Sequence, residues 1–503
     1  MPRTSLANDL QAIAEKAQFS RRQLLAAGGA ATLAAATWTP RAHAAGGPRV
    51  AIVGAGLAGL TCAYRLRRAG IDATVYEASD RIGGRAWTVR GAFGPGLVAE
   101  HGGELIDTGH TAIRQLCQEL RLELDNLLQA ERNGTEPLYY FDGAPYTVAE
   151  AERDYNGVFQ KLHRDVSEAS YPTTYRNATP RGRELDNMSI VDWIEESVPG
   201  GMRSKFGQLL DVVYTIEYGL EAREQSALNL LYLLGYIGQG KLRLFGPSDE
   251  KYHVRGGNDR IPAALAARLG PGAVKLGSQL VSIRRTPGGA FELGIQQGAT
   301  TQRVTADRVV LTIPFTVMRS SVDFSQAGFG TVKTRAIREL SLGTNSKLNV
   351  GFRTRHWESL GQTGDSFSDT GFQNTWEVSR GQPGPSGILV DYTGGRIGDS
   401  FRGADPIARA ARFLDQLEPV MPGIRAAWDG RATLFHWPSH RWTLGSYSCY
   451  RVGQYTAFGA VEEEPSGACH FAGEHTTQDY QGYLNGAVFS GERAAREVLA
   501  AVT

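Results

Sequence analysis

The sequence predicts an α/β protein in which a Rossmann-like nucleotide-binding domain is interleaved with an α+β domain. Three observations carry this expectation. A short apolar run, a glycine-rich turn and a stretch of helical spacing follow one another over 49–70. A second strand–turn–helix pattern closes the chain over 470–493. Between them, segments of helical spacing give way to segments in which apolar and polar residues alternate.

The totals fit that class. The chain has 503 residues, enough for two or three domains around large cores. Apolar residues make up 42% and charged residues 21%, the balance of a water-soluble globular protein. A formal charge of +1 excludes a bulk field that would recruit nucleic acid or an anionic membrane. Cys62, Cys117, Cys449 and Cys469 form no C-x-x-C pair and no zinc-spaced cluster with histidine, so no metal site is expected and buried free thiols are.

The first segment reads as an address. Arg21-Arg22 precede a weakly apolar Ala/Gly-rich run that ends near Pro40, and Ala42-His43-Ala44 supplies a small-x-small cleavage signal. This resembles a twin-arginine export signal, which predicts a bacterial periplasmic or secreted protein exported folded by that pathway. Residues 1–44 are therefore set apart as signal peptide.

The mature part opens on Arg49-Val50-Ala51-Ile52-Val53, read as a buried parallel strand. Gly54-Ala55-Gly56-Leu57-Ala58-Gly59 follows, then a helix to Gly70 and a second strand, 73–76, ending at Glu77. Gly54 permits the tight turn, Gly56 admits a pyrophosphate close to backbone, and Gly59 lets helix pack on strand. The helix N-terminus offers free N–H groups to phosphate, and Glu77 stands where an acid binds ribose hydroxyls.

The next stretch, Asp80-Arg81-Ile82-Gly83-Gly84-Arg85, resembles the flavin amine oxidase superfamily, which places a G-G-R segment after the ribose acid. His470-Phe471-Ala472-Gly473-Glu474-His475-Thr476 and Gln481-Gly482-Tyr483-Leu484-Asn485-Gly486-Ala487 look like that family's last flavin segment. The resemblance implies FAD. It puts Ala78, Gly84, Arg85, Gly473 and Glu474 along the cofactor, Gly482, Tyr483 and Leu484 beside the ring, and the backbone of Val281 at the adenine. Glu100-His101-Gly102-Gly103-Glu104-Leu105-Ile106-Asp107 matches the strand passing the flavin, with Gly102, Gly103 and Glu104 against it. Family members that bind FAD covalently carry a cysteine where this chain has Ser446, so non-covalent FAD is expected.

The resemblance also names the chemistry. Lys347 matches the lysine that holds a water at the flavin; Tyr447 and Tyr483 match the aromatic pair flanking the amine, and Trp376 joins them with Asp107 as substrate-binding. Electron-rich tyrosine faces guide an amine and limit its orientation. The implied reaction is oxidative deamination of a primary amine, with molecular oxygen reduced to hydrogen peroxide. L-amino-acid oxidases carry a carboxylate-binding arginine near the position of Leu105; it is missing here, with Arg396 or Arg451 as candidate replacements. Glu104 and Asp107 suit a substrate with a second cation. Basic L-amino acids and polyamines are therefore favoured, with aromatic monoamines and neutral L-amino acids open. A C–C desaturating flavoenzyme and a non-catalytic flavin-binding protein are the rival classes, and a periplasmic carrier is the rival to oxygen.

The FAD-binding domain is expected from 48–106, 250–315 and 466–503, and the substrate-binding domain from 107–249 and 316–465. Helices are expected over 113–128, 191–197 and 204–214, and strands over 347–352 and 387–392. A homodimer is compatible with the sequence but not specified by it.

Overall fold

The computed structural model describes residues 47–169 and 171–502. The signal-peptide expectation falls on 1–44 and so lies outside the described residues. In chain order the elements that matter are β1 (Val50–Val53), α1 (Leu57–Arg68), β2 (Ala73–Tyr76), α2 (Lys205–Tyr218), β3 (Val274–Lys275), β4 (Arg308–Leu311), β5 (Ser346–Phe352), β6 (Ser366–Phe367), β7 (Asn374–Glu377), β8 (Gly387–Thr393), β9 (Trp428–His436), β10 (Cys469–Phe471) and α3 (Leu484–Ala500).

Two sheets frame the molecule. The first is fully parallel, in the order β10-β4-β1-β2-β3. Its strands are short and mostly buried on both faces, as the apolar runs require. From β1 the chain crosses to β2 on one side, while β4 and β10 lie on the other; the carboxyl end of β1 is thus a topological switch point, where ligands bind in open α/β sheets. α3 packs across α1 at very short range: a Cβ on Gly491 would stand 2.4 Å from the Ala58 carbonyl oxygen.

The second sheet is antiparallel, in the order β6-β7-β8-β5-β9. Every residue of β5 is buried, because both of its faces are covered. Leu348, Val350 and Phe352 join an apolar cluster with Phe413, Leu414 and Leu417 of the helix Pro406–Leu417. Lys347 and Asn349 point the other way, toward the 100–104 segment. The predicted alternation is therefore present, but it separates an apolar core from an internal site rather than from solvent. Pro48–Thr503 form one compact unit.

The helical region departs from expectation at two ends. The helix predicted over 113–128 runs Thr111–Leu120 and stops at Arg121, which adopts φ 60°. Leu124–Asn126 then pairs with Tyr252–Val254 as strand, so tertiary pairing overrides the helical spacing. The helix predicted over 204–214 continues to Tyr218 and is closed by Gly219 at φ 72°. That extra turn carries Glu217 and Tyr218 into the candidate site. Ile190–Ser197 forms as expected, started by a Ser189–Asp192 capping box.

Candidate active site

A cavity of about 330 Å³ opens at the carboxyl ends of β1 and β4 and runs to the face of the second sheet. One end is shaped by backbone. Gly54 adopts φ 105°, and a Cβ there would fall 2.5 Å from Thr312 Oγ1. A Cβ on Gly59 would fall 2.0 Å from the Gly54 carbonyl oxygen, so Gly59 serves helix–strand packing and does not line the cavity. Gly56 does line it, has open space at its Cβ position and caps α1 without a side-chain hydrogen bond. The first N–H groups of α1 are thus left for a ligand. Glu77 is fixed on the wall beside Ala78: its carboxylate accepts from Ala55 N at 2.7 Å and from Ser79 N and Oγ at 2.9 and 2.8 Å.

The middle of the cavity is tied by an ion pair. Arg85 Nη1 donates to Glu474 Oε1 at 2.6 Å and to the Ser446 carbonyl at 2.8 Å. Glu474 also accepts from Ser448 Oγ at 2.6 Å and Gly482 N at 2.8 Å. Burial opposes its charge, yet Arg85 and these donors hold the carboxyl below its ordinary value. Gly84, Gly473, Leu484 and the Gly102–Gly103 pair complete the wall. A Cβ on Gly102 would lie 1.8 Å from the Arg85 carbonyl oxygen, and one on Gly103 2.6 Å from Leu484 Cδ2. An uncapped helix start, an open glycine face and a fixed acid fit the phosphate and ribose groups of a dinucleotide flavin. Val281 sits at a bulge in the strand Gln279–Arg285 and does not line the cavity; Ser278, Gln279 and Leu280 do.

The other end is shaped by side chains. Lys347 is buried, and Nζ donates to Glu104 Oε2 at 2.5 Å and to the Gly102 carbonyl at 3.2 Å. Trp376 Nε1 donates to Glu104 Oε1 at 2.9 Å, and the ammonium lies 5.1 Å from the Trp376 ring centre. Strand register explains the grouping: Lys347 pairs with Tyr392 across β5–β8, and Tyr392 pairs with Asn374 across β8–β7. Tyr447 Oη bonds Tyr392 Oη at 2.7 Å and the Ile216 carbonyl at 2.9 Å. Tyr483 Oη donates to Glu217 Oε1 at 3.1 Å. Lys347, Trp376, Tyr392, Tyr447 and Tyr483 thus share one chamber.

Two acids of this chamber escape the sequence motifs. Glu217, on the last turn of α2, is pushed up to about 8 by burial, against the Tyr483 hydroxyl that donates to it. Glu250 is pushed well up by burial and by the nearby carboxylates of Asp107 and Glu217. Neither belongs to a local motif. The one available signal was a glutamate inside the largely apolar stretch 212–220.

The acids expected to meet a second substrate cation are otherwise engaged, which corrects that expectation. Glu104 is held between Lys347 and Trp376. Asp107 does not line the cavity: its carboxylate accepts from Ser248 Oγ at 2.8 Å and Glu250 N at 2.9 Å and faces His110 at 3.1 Å. It anchors the backbone that presents Glu250. Leu105 lines the cavity, but Arg396 pairs with Glu221 and Arg451 with Glu224, both away from it. Cys449 is buried and also off the cavity, while Ser446 is on it.

Comparison with known proteins gives related sequences and a shared fold. YobN of Bacillus subtilis strain 168, named provisionally as an L-amino-acid oxidase, is 26% identical over 469 residues, covering 89% of this chain and 94% of its own. Putrescine oxidase solved with putrescine superposes with a TM-score of 0.77 at 22% identity, over 90% of this chain and 99% of that one. Cyclohexylamine oxidase from Brevibacterium oxydans gives 0.78 at 21% identity, over 91% and 99%. These two show the shared mixed α/β fold. The flavin containing amine oxidoreductase family matches residues 57–499, and the chain belongs to that family.

Proposed function

We propose that this flavin amine oxidoreductase binds FAD non-covalently and oxidatively deaminates a primary amine that carries a second cationic group. One observation carries the substrate reading: the chamber offers two buried carboxyl groups, Glu217 and Glu250, and no uncommitted cation. Among its described lining residues the cations are Arg81, Arg85 and Lys347. Arg81 stacks 3.8 Å over Trp87 and donates to the Ile82 carbonyl; the other two are paired with carboxylates. A substrate carboxylate would thus meet acids and no guanidinium, which favours a diamine or polyamine over a basic L-amino acid.

The bound flavin supplies the two-electron oxidation of the amine C–H. The chain's residues position the substrate. Tyr447 and Tyr483 are anchored through their hydroxyls, so their ring faces flank the reacting amine with little freedom. Glu217 and Glu250 receive the distal ammonium. Lys347, fixed by Glu104 and the Gly102 carbonyl, holds a water for proton transfer at the flavin face. Ser446 in place of a thiol supports the non-covalent cofactor. Molecular oxygen is the acceptor in this reading and hydrogen peroxide the product. Export by the twin-arginine pathway to the periplasm or beyond completes the proposal, tested by fractionating cells that express Arg21→Lys/Arg22→Lys.

The decisive experiment incubates holoenzyme with an amine panel and reads flavin bleaching and peroxide. Diamines should bleach the flavin faster than monoamines of equal length and faster than lysine. Bleaching by lysine ahead of any diamine overturns the substrate reading; bleaching by no amine or amino acid overturns the activity.

A further inference from the structure

A second, smaller cavity lies behind the aromatic pair. It holds about 80 Å³ and shares three wall residues with the active-site chamber: Tyr218, Gln481 and Tyr483. A single layer of side chains therefore parts the two spaces. The outer rim is open, formed by Tyr171, which is 43% exposed, and by the exposed Gln478 and Asp479. The inner end is formed by Tyr450 and Tyr455.

Six tyrosines, Tyr171, Tyr218, Tyr232, Tyr450, Tyr455 and Tyr483, stand in the lining. Tyrosine rings follow one another inward, with centroids 4.9 Å apart for Tyr171–Tyr232, 5.8 Å for Tyr232–Tyr455 and 4.1 Å for Tyr455–Tyr450. Their hydroxyls are bonded to protein groups: Tyr171 to Asp479, Tyr232 to Thr173, Tyr455 to Asn229 and Tyr450 to Glu462. Tyr218 and Tyr483 donate to the Asn229 carbonyl and to Glu217. The space is thus narrow and faced by tyrosine rings whose hydroxyls are already engaged, which suits a small uncharged molecule. The partition also includes Gln481, whose amide nitrogen makes no close hydrogen bond and reaches only the Tyr450 hydroxyl, so it is weakly held in place.

We propose that this tyrosine-lined pocket is the access route for dioxygen, entering past Gln481 and Tyr483 while the organic product still fills the main chamber. The inference rests on the amine oxidase reading above. Dioxygen takes up two electrons and two protons, both drawn from the amine by way of the reduced enzyme, and leaves as hydrogen peroxide. A separate route lets this half-reaction proceed without waiting for the mouth used by the amine to clear.

The test fills the pocket at Leu233, a wall residue of the second cavity that is not on the first. Holoenzyme is reduced with dithionite, so no amine substrate is needed, and mixed with dioxygen in a stopped-flow instrument. Leu233→Trp should lower the second-order reoxidation rate constant about tenfold and leave flavin reduction by amine unchanged. Leu233→Ala should match or exceed the parent rate. Xenon-pressurised crystals should show xenon among these rings in the parent and none in Leu233→Trp. Unchanged reoxidation in Leu233→Trp, an equal loss in both half-reactions, an empty pocket under xenon, or a parent enzyme that dioxygen does not reoxidise would each overturn the proposal. Failure of the amine panel with normal reoxidation would instead strike the substrate reading alone.

Discussion

The two ends of the main cavity are built by different means. The nucleotide end is made by backbone: Gly54, Gly59, Gly102 and Gly103 set close approaches that any side chain would block, Gly56 leaves the cavity open beside the helix start, and Glu77 is fixed by two bonds from Ser79 and one from the Ala55 amide. The amine end is made by side chains from separate elements: Glu217 from α2, Trp376 and Tyr392 from the antiparallel sheet, Tyr447 and Tyr483 from later segments. Backbone recognition tolerates almost no substitution. Side-chain recognition can change its ligand by exchanging one residue. The two ends should therefore break in different ways.

The largest expected effect is at the backbone end. Gly102→Ala sets a Cβ 1.8 Å from the Arg85 carbonyl and 3.1 Å from Trp437, neither of which can yield cheaply. Overpacking of this kind costs about 1–3 kcal/mol or more. The variant should purify largely without flavin, read as loss of the visible absorbance, and should melt at a lower temperature. Full flavin occupancy would show that the strand has room to shift. Lys347→Met comes next. Flavin reduction or reoxidation should slow by about 10²-fold or more, the usual scale for a positioned proton-transfer group, with flavin still bound. Because Glu104 would be left buried without its partner, the paired variant Lys347→Met/Glu104→Gln should recover thermal stability without recovering rate. Recovery of rate in the pair would assign Lys347 a purely structural part.

The contrast between the ends also explains what could be read in advance. The glycine fingerprint, Glu77, Arg85 and the 473–484 run are local in sequence because a phosphate held by backbone needs consecutive residues. The parallel sheet and the faces of β5 follow from short-range pattern for the same reason. The amine end was legible only where the family resemblance reached it, at Lys347, Trp376, Tyr447 and Tyr483. Glu217 and Glu250 lie in helical and loop segments of no motif, and their meeting depends on α2 running one turn past its predicted end and on Asp107 holding the Glu250 amide. Asp107 and Glu104 were acids of the right type on the right strand, but their partners Ser248, Lys347 and Trp376 come from distant segments that composition does not reveal.

A smaller effect tests selectivity. Glu217→Gln keeps the Tyr483 hydrogen bond in shape and removes the charge. It should lower kcat/KM for a diamine about 10–100-fold, the range for losing one partner of a shielded charge pair, and leave a monoamine of equal length within about twofold. Equal losses on both substrates would move Glu217 from substrate recognition to support of Tyr483.

The smallest effect is a pH limb, and its sign follows from the same carboxyl. Burial raises Glu217 to about 8, and the groups facing it are Tyr483, Tyr218 and Tyr214, together with the carboxylates of Asp107 and Glu250. Below about pH 8 the free enzyme therefore carries a neutral Glu217, which attracts an ammonium weakly; above it the carboxylate is charged. For a diamine, kcat/KM should rise up to about tenfold per unit as pH increases toward 8 and then level. The limb belongs to kcat/KM and not to kcat, because a bound distal ammonium lowers the Glu217 value and keeps it ionised in the complex. A monoamine titrates its reacting nitrogen alike but has nothing to place at Glu217, so the ratio of diamine to monoamine kcat/KM isolates the carboxyl. That ratio should climb through pH 7–8 in the parent and be flat in Glu217→Gln; a climb that persists in the variant would hand the distal ammonium to Glu250.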